Sequence, residues 1–290
     1  MPNPYFLIFE LIIYLELVLC LRHAWKNGPQ SLLKLLLGVV FGVLLELATL
    51  RQLNAYHYGR FIIMVFDVPL CIGIAWSCII YSVMEFSDAA GLSYFLRPVL
   101  DGLLALNIDL ALDVVAIRLG FWGWGRGLEF QYFGVPYANF WAWFWVVFSF
   151  SFGFRLLSRR TDFIGTWLSA PLALVIGLIG VLGTNALIAF VVPRAWYTFS
   201  IAFVILGALF LVFIRRPALY QRPVGTLSFW IPFLNHAYLL IAGLISGVIL
   251  NPPFLLAVSL AMLVIALALH SQSLKLLFDR LIIRQSNKPV

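Results

Sequence analysis

The sequence predicts an all-α fold: a polytopic bundle of about nine transmembrane helices, or eight if one span is lost. Three observations predict it. Hydrophobic residues make up 63% of the 290 and charged residues only 11%, whereas soluble domains carry about 25% charged residues. The apolar runs reach about 20 residues, the length a helix needs to cross a bilayer. The basic residues gather in the short gaps between those runs, as membrane topology requires.

Taken in order, the expected spans are 5–21, 32–50, 61–85, 97–118, 139–157, 167–192, 197–214, 229–250 and 254–273. The first contains Glu10 and Glu16 as near-interface or packing groups. No basic residue precedes it and no small-residue cleavage site follows, so it is expected to stay in the membrane. Span two carries Gly38 and Gly42 four residues apart, a spacing that lets helices approach closely. Glu46 and Thr49 share that face. In span three, Asp67 precedes Val68-Pro69; it either caps a proline kink or joins the chemistry. Span four opens near Asp101, which favours a helix start through the dipole, and then carries Asp109 and Asp113. The last four spans hold little that is polar: Asn185 and the Asn235-His236 pair. No internal repeat or soluble module interrupts the chain. It is read as one membrane domain, 1–290, with a catalytic core at 40–145.

Lys and Arg set the orientation. Arg22, Lys26 and Lys34, then Arg155, Arg159 and Arg160, then Arg215, Arg216 and Arg222, then the C-terminal tail from Lys275 fall on one side of nine spans. Arg51, Arg60, Arg118, Arg126 and Arg194 fall on the other. The bias predicts the N-terminus outside and the C-terminus cytoplasmic. The net charge of +7 therefore reflects topology and not nucleic-acid binding.

Ten of the twelve acidic residues precede residue 130, so the chemistry is expected in the first five spans, with the last four completing the bundle. Asp109 and Asp113 are four residues apart and share a helix face. Two like charges one turn apart cannot both ionise cheaply in low dielectric; they share a proton, pair with a cation or bind a metal. The plainer alternative is a packing pair satisfied by Arg118, Asn139 or a backbone group. With Glu46 and Asp67, these acids lie within roughly 7–14 Å of one membrane face at 1.5 Å per residue. The loop after span four sets Trp122, Trp124, Tyr132 and Phe133 among five glycines between 120 and 134. An interfacial aromatic belt needs no such glycines, whereas close backbone approach to a ligand does. Asn139, and Tyr56 with His57 in the preceding turn, open onto the same face. Catalytic candidates are Asp109, Asp113, Glu46 and Asp67. Candidate substrate contacts are Trp122, Trp124, Tyr132, Phe133, Asn139, Tyr56 and His57.

Other chemistries find no support. Cys20, Cys71 and Cys78 form no C-x-x-C pair, so neither a disulfide framework nor a metal site is expected. There is no P-loop, G-x-S-x-G, H-E-x-x-H or dinucleotide fingerprint.

Several blocks then carry a resemblance. They are Glu46-Leu47, Tyr56 to Gly59, Pro69-Leu70 followed by Trp76 and Tyr81, Asp109-Leu110 with Leu112-Asp113, Gly120-Phe121-Trp122 with Trp124, and Tyr132-Phe133-Gly134-Val135-Pro136 with Asn139-Phe140 and Trp143. Over about 40–145 the chain resembles the membrane-integral carotenoid biosynthesis proteins. These include carotenoid 1′,2′-hydratases acting on γ-carotene or lycopene, and the archaeal bisanhydrobacterioruberin hydratase. The usual Asp-Pro is Asp113-Val114 here, and the usual Gly of N-F-x-G-W is Ala142. The resemblance implies hydration of a ψ-end-group double bond without a cofactor. It also implies a long isoprenoid substrate, a prokaryotic cell or thylakoid-type membrane, and contact with other enzymes of the pathway. Chemistry assigns the roles: Asp113 or Asp109 is the acid, and the other, or Glu46, orients the water. Two rivals stand beside this reading. Asn107-x-Asp109-x-x-x-Asp113 is a short aspartate motif of the kind that holds diphosphate through Mg²⁺ in an intramembrane prenyltransferase. A non-enzymatic pigment- or lipid-binding protein, or a transporter with a carboxylate relay, would also place acids in a membrane.

Overall fold

A computed structural model describes residues 3–54, 56–124, 131–215, 225–275 and 277. Among these are nine α-helices: α1 (Pro4–Lys26), α2 (Pro29–Leu53), α3 (Leu70–Ala89), α4 (Arg97–Ala116), α5 (Tyr137–Ser158), α6 (Phe163–Ala186), α7 (Tyr197–Arg215), α8 (Thr226–Ser246) and α9 (Phe254–Leu269). Each expected span meets one of them. Seven helical segments are long and apolar enough to cross a membrane; α4, with its acids, and the shorter α9 are not among them. α4 is buried along most of its length and packs on α3, α5, α7, α8 and α9. A helix enclosed by other helices can carry carboxylates because it does not face lipid. α6 and α7 are mostly unburied. Phe190, Phe199, Phe203, Phe210 and Phe213 project from this region, as expected of lipid-facing positions.

The spacing at 38 and 42 works as predicted. A Cβ on Gly42 would sit 2.6 Å from the Gly73 carbonyl, and one on Gly38 would sit 2.6 Å from Ser77 Oγ. Small residues let α2 lie directly on α3, which turns Glu46 inward.

The expected third span begins too early. Residues 61–69 are not helical; they contain a small hairpin, β2 (Met64–Val65) with β3 (Val68–Pro69). Pro69, which lacks an N–H, caps α3 at its start. Asp67 thus lies in the hairpin turn, where it is exposed. Two more strand pairs build the same end of the bundle: β1 (Tyr56–Tyr58) with β4 (Trp122–Trp124), and β5 (Gln131–Tyr132) with β6 (Val135–Pro136). Phe133 and Gly134 both take positive φ in the last turn, the pairing a tight hairpin turn of that hand requires. Glu10 anchors this end. Its carboxylate accepts the amides of Ile62 (3.0 Å) and Ile63 (3.5 Å), and Phe6, Phe9, Phe61 and Phe121 pack beside it. Glu10 is therefore a buried anchor for the loop that follows α2.

Candidate functional site

A cavity of about 490 Å³ opens at this end, within the ordinary range for ligand pockets. α2, α3, α4, α5 and the β1–β4 pair line it. The end of α6, packed beside α2, lines it as well, with the π-helical turn Leu187–Val191, the 3-10 turn Arg194–Trp196 and the start of α7. The chain's later half therefore supplies a wall of the cavity as well as closing the bundle. Ala189, Phe190 and Arg194 are exposed as well as lining it, so the mouth lies at the α6–α7 turn.

Asp113 reaches this cavity. Asp109, one turn earlier on α4, does not; it is fully buried behind Asp113. Asn139, on the first turn of α5, joins the two. Its amide nitrogen lies 2.5 Å from Asp113 Oδ2, 3.0 Å from Asp109 Oδ1 and 3.2 Å from Asp109 Oδ2. Of the partners expected for these acids, Asn139 is the one found. Arg118 instead donates to the carbonyls of Val114 (2.7 Å) and Phe133 (2.9 Å), which ties the β5–β6 turn to the end of α4.

Glu46 is the second carboxylate on the cavity. The Tyr56 hydroxyl donates to its Oε2 at 2.5 Å and the Trp76 indole donates to its Oε1 at 2.6 Å. Both of these donors are neutral, and neither comes from Arg51 or Arg60. Strand pairing places Tyr56 opposite Trp124 and Tyr58 opposite Trp122, with ring centroids 5.1 Å and 6.0 Å apart. Burial, followed by the proximity of Glu46, pushes both strand phenols well above their ordinary value. They stay neutral donors. Trp76 and Trp143 meet at 4.4 Å and extend the aromatic wall.

The structure brings together Asp113, Glu46, Tyr56, Trp122, Trp124 and Asn139 on one cavity, with Asp109 behind. It does not bring Asp67, which sits exposed in its turn, or His57, whose exposed ring covers Gly123 instead. Tyr132 and Phe133 also lie off the cavity. Tyr132 donates a 3.4 Å hydrogen bond to the Leu110 carbonyl, and Phe133 packs on Phe254. Gly120 and Gly134 take positive φ, so both shape turns at this end of the bundle. Gly125, Arg126 and Gly127 fall outside the described residues. Sequence reasoning missed the lining positions Trp76 and Trp143, although both belong to the blocks that carry the resemblance. It also missed Tyr58, Asn185 and Arg194.

Other buried charges serve the framework. Arg155 donates to Asp101 (3.0 Å), Ser87 (2.8 Å) and Ser151 (3.1 Å) and pairs with Asp88. Asp101 is thus held by a buried ion pair and not by the helix dipole, and Arg155 belongs to the core, not to a loop. Glu16, expected as packing or near-interface, is buried and accepts from Asn235 at 2.8 Å. Among the described residues no three His, Cys, Asp or Glu side chains are grouped to hold a metal.

A cavity walled by aromatic rings and bearing carboxylates, inside a bundle with an apolar exterior, belongs to a helical integral membrane protein. The family described as carotenoid biosynthesis protein matches residues 3–214. The chain belongs to that family, and a role in carotenoid biosynthesis follows. No curated protein and no solved structure matches it.

Proposed function

We propose that the protein is a cofactor-independent carotenoid hydratase, a hydro-lyase type enzyme adding water across the 1′,2′ double bond of a ψ-end group such as that of γ-carotene or lycopene. The observation that carries this reading is the placement of two separately held carboxylates, Asp113 and Glu46, on one aromatic cavity. Asp113, backed by Asp109 and Asn139, donates its proton to the alkene carbon, and the neighbouring carbon becomes a tertiary cation. The faces of Trp76, Trp122, Trp124 and Trp143 stabilise that cation. Water adds to it and gives up a proton to Glu46, whose oxygens already accept from Tyr56 and Trp76. The proton returns to Asp113 through water in the cavity before the next turnover, so none is consumed. In this reading the cavity takes the end group and the rest of the polyene runs toward lipid past the α6–α7 mouth. The catalytic core at 40–145 supplies both carboxylates. The N-terminus lies outside a prokaryotic membrane, and other enzymes of the pathway are the natural partners.

The test is expression in cells that make lycopene or γ-carotene, with pigments analysed by mass. The wild type is expected to yield carotenoid heavier by one water. Asp113→Asn is expected to abolish this product, and Asp109→Asn to reduce it by at least tenfold. Unchanged hydration in both variants, or none in the folded wild type, sinks the assignment.

A further inference from the structure

The reaction above uses the carboxylates and aromatic rings but leaves one stretch of the cavity wall unexplained. Thr49 and Gln52 follow Glu46 on α2 at three-residue steps, so the three form a polar ladder up one helix face. All three line the cavity. Asn185 lines it from α6. The two helices are pinned there: Gln52 Nε2 donates to the Leu182 carbonyl at 2.8 Å, and Leu182 is one turn before Asn185. Among the described residues, Thr49 Oγ1, Gln52 Oε1 and Asn185 Nδ2 are all buried without a hydrogen-bond partner. Thr49 is 6% exposed and Asn185 2%. Buried polar groups are ordinarily satisfied, and each orphan carries a cost. Three orphans on one cavity wall, offering both donors and acceptors, fit a ligand atom that does both. An O–H group is such a ligand, and a hydrocarbon is not.

We propose that Thr49, Gln52 and Asn185 form a hydroxyl-binding subsite on the α2–α6 wall, which holds the O–H group the reaction adds: water beforehand and the tertiary alcohol afterwards. This rests on the hydratase reading and extends it, because it assigns the end of the cavity where the polar product comes to rest.

The experiment is a competition. Purified protein in detergent is given equal amounts of a ψ-end carotenoid and its tertiary alcohol, and the ratio retained after size exclusion is measured by chromatography. The wild type is expected to retain the alcohol about tenfold over the parent, the discrimination one or two buried hydrogen bonds give. Thr49→Val/Asn185→Leu is expected to bring the ratio near one while total bound carotenoid is unchanged. Thr49→Val alone, nearly isosteric, guards against misfolding and is expected to lower the ratio about threefold. A wild type without preference, or variants that keep it, overturns the proposal. A second arm separates water from alcohol: a lower kcat with unchanged KM in Thr49→Val assigns water to the subsite too, and unchanged kcat assigns the alcohol alone. If no form hydrates yet the preference is lost on substitution, the subsite stands and the hydratase reading falls.

Discussion

Asn139 and Asp113 meet across the α4–α5 interface at 2.5 Å, the amide donating to the carboxylate. The same nitrogen reaches Asp109, so one side chain holds two acids in register. Asn139→Leu removes the donor and leaves both carboxylates short of a partner. The expected cost is about 1–3 kcal/mol of stability, read as a lower melting temperature in detergent. Hydration is expected to fall at least a hundredfold. Asn139→Gln keeps an amide on a longer stem and should recover part of each loss.

Glu46 is oriented from two directions, and the two donors separate cleanly. Tyr56→Phe removes the bond from the loop, and Trp76→Phe removes the bond from α3. Each is expected to lower kcat about tenfold or more with the protein still folded. The pair should be less than additive because both act through one carboxylate. Steady-state kinetics on the four forms checks this; equal effects of each variant in a Glu46→Gln background would refute it.

Arg155 is 3% exposed and Asp101 fully buried. Arg155→Met leaves Asp101 charged and unpaired and is expected to cost about 3–5 kcal/mol. Replacing both, as Arg155→Met/Asp101→Leu, should recover much of that. The cluster lies about 18 Å along α4 from Asp113, at 1.5 Å per residue. Folded protein of either variant should therefore keep its specific activity, measured per molecule after size exclusion.

Asp162 caps α6, accepting the Gly165 amide at 3.0 Å. The Arg160 guanidinium, and then that amide, pull its carboxyl down to about 2. The folded value lies below the unfolded one of about 3.9. The cap's contribution is thus fully present above about pH 4 and is lost as pH falls toward 2. Amide exchange in the first turn of α6 should quicken across that window. Asp162→Asn, which cannot titrate, should flatten the dependence.

The helices were legible because lipid demands long apolar runs. The inward face of α2 was legible from Gly38 and Gly42, since small residues mark a close helix contact wherever they recur. The Asp109–Asp113 pair was legible from spacing alone. What escaped depends on where loops fold back. Phe61 to Phe66 is as apolar as a span, and only the turn at Phe66-Asp67 and the proline at 69 break the helix there. That boundary decides whether Asp67 is buried or exposed. Tyr132 and Phe133 share their composition with Trp122 and Trp124, yet strand pairing with β1 carries only the latter two to the cavity. Asn185 stood out only as a polar residue in an apolar span and Arg194 only as a topology charge; that both line the cavity depends on how the later half packs against the first.

The pairing of β1 with β4 links segments more than sixty positions apart and has a consequence for the order of synthesis. When α2 and α3 first enter the membrane, Tyr56 has no Trp124 opposite it, so the loop that presents it to Glu46 is held by one edge only. The strap closes once the chain has been made through Trp124, and the second wall arrives only with the α6–α7 turn. Glu46 is thus synthesised before either the strand or the wall that covers it, and Asp113 before the Asn139 that holds it.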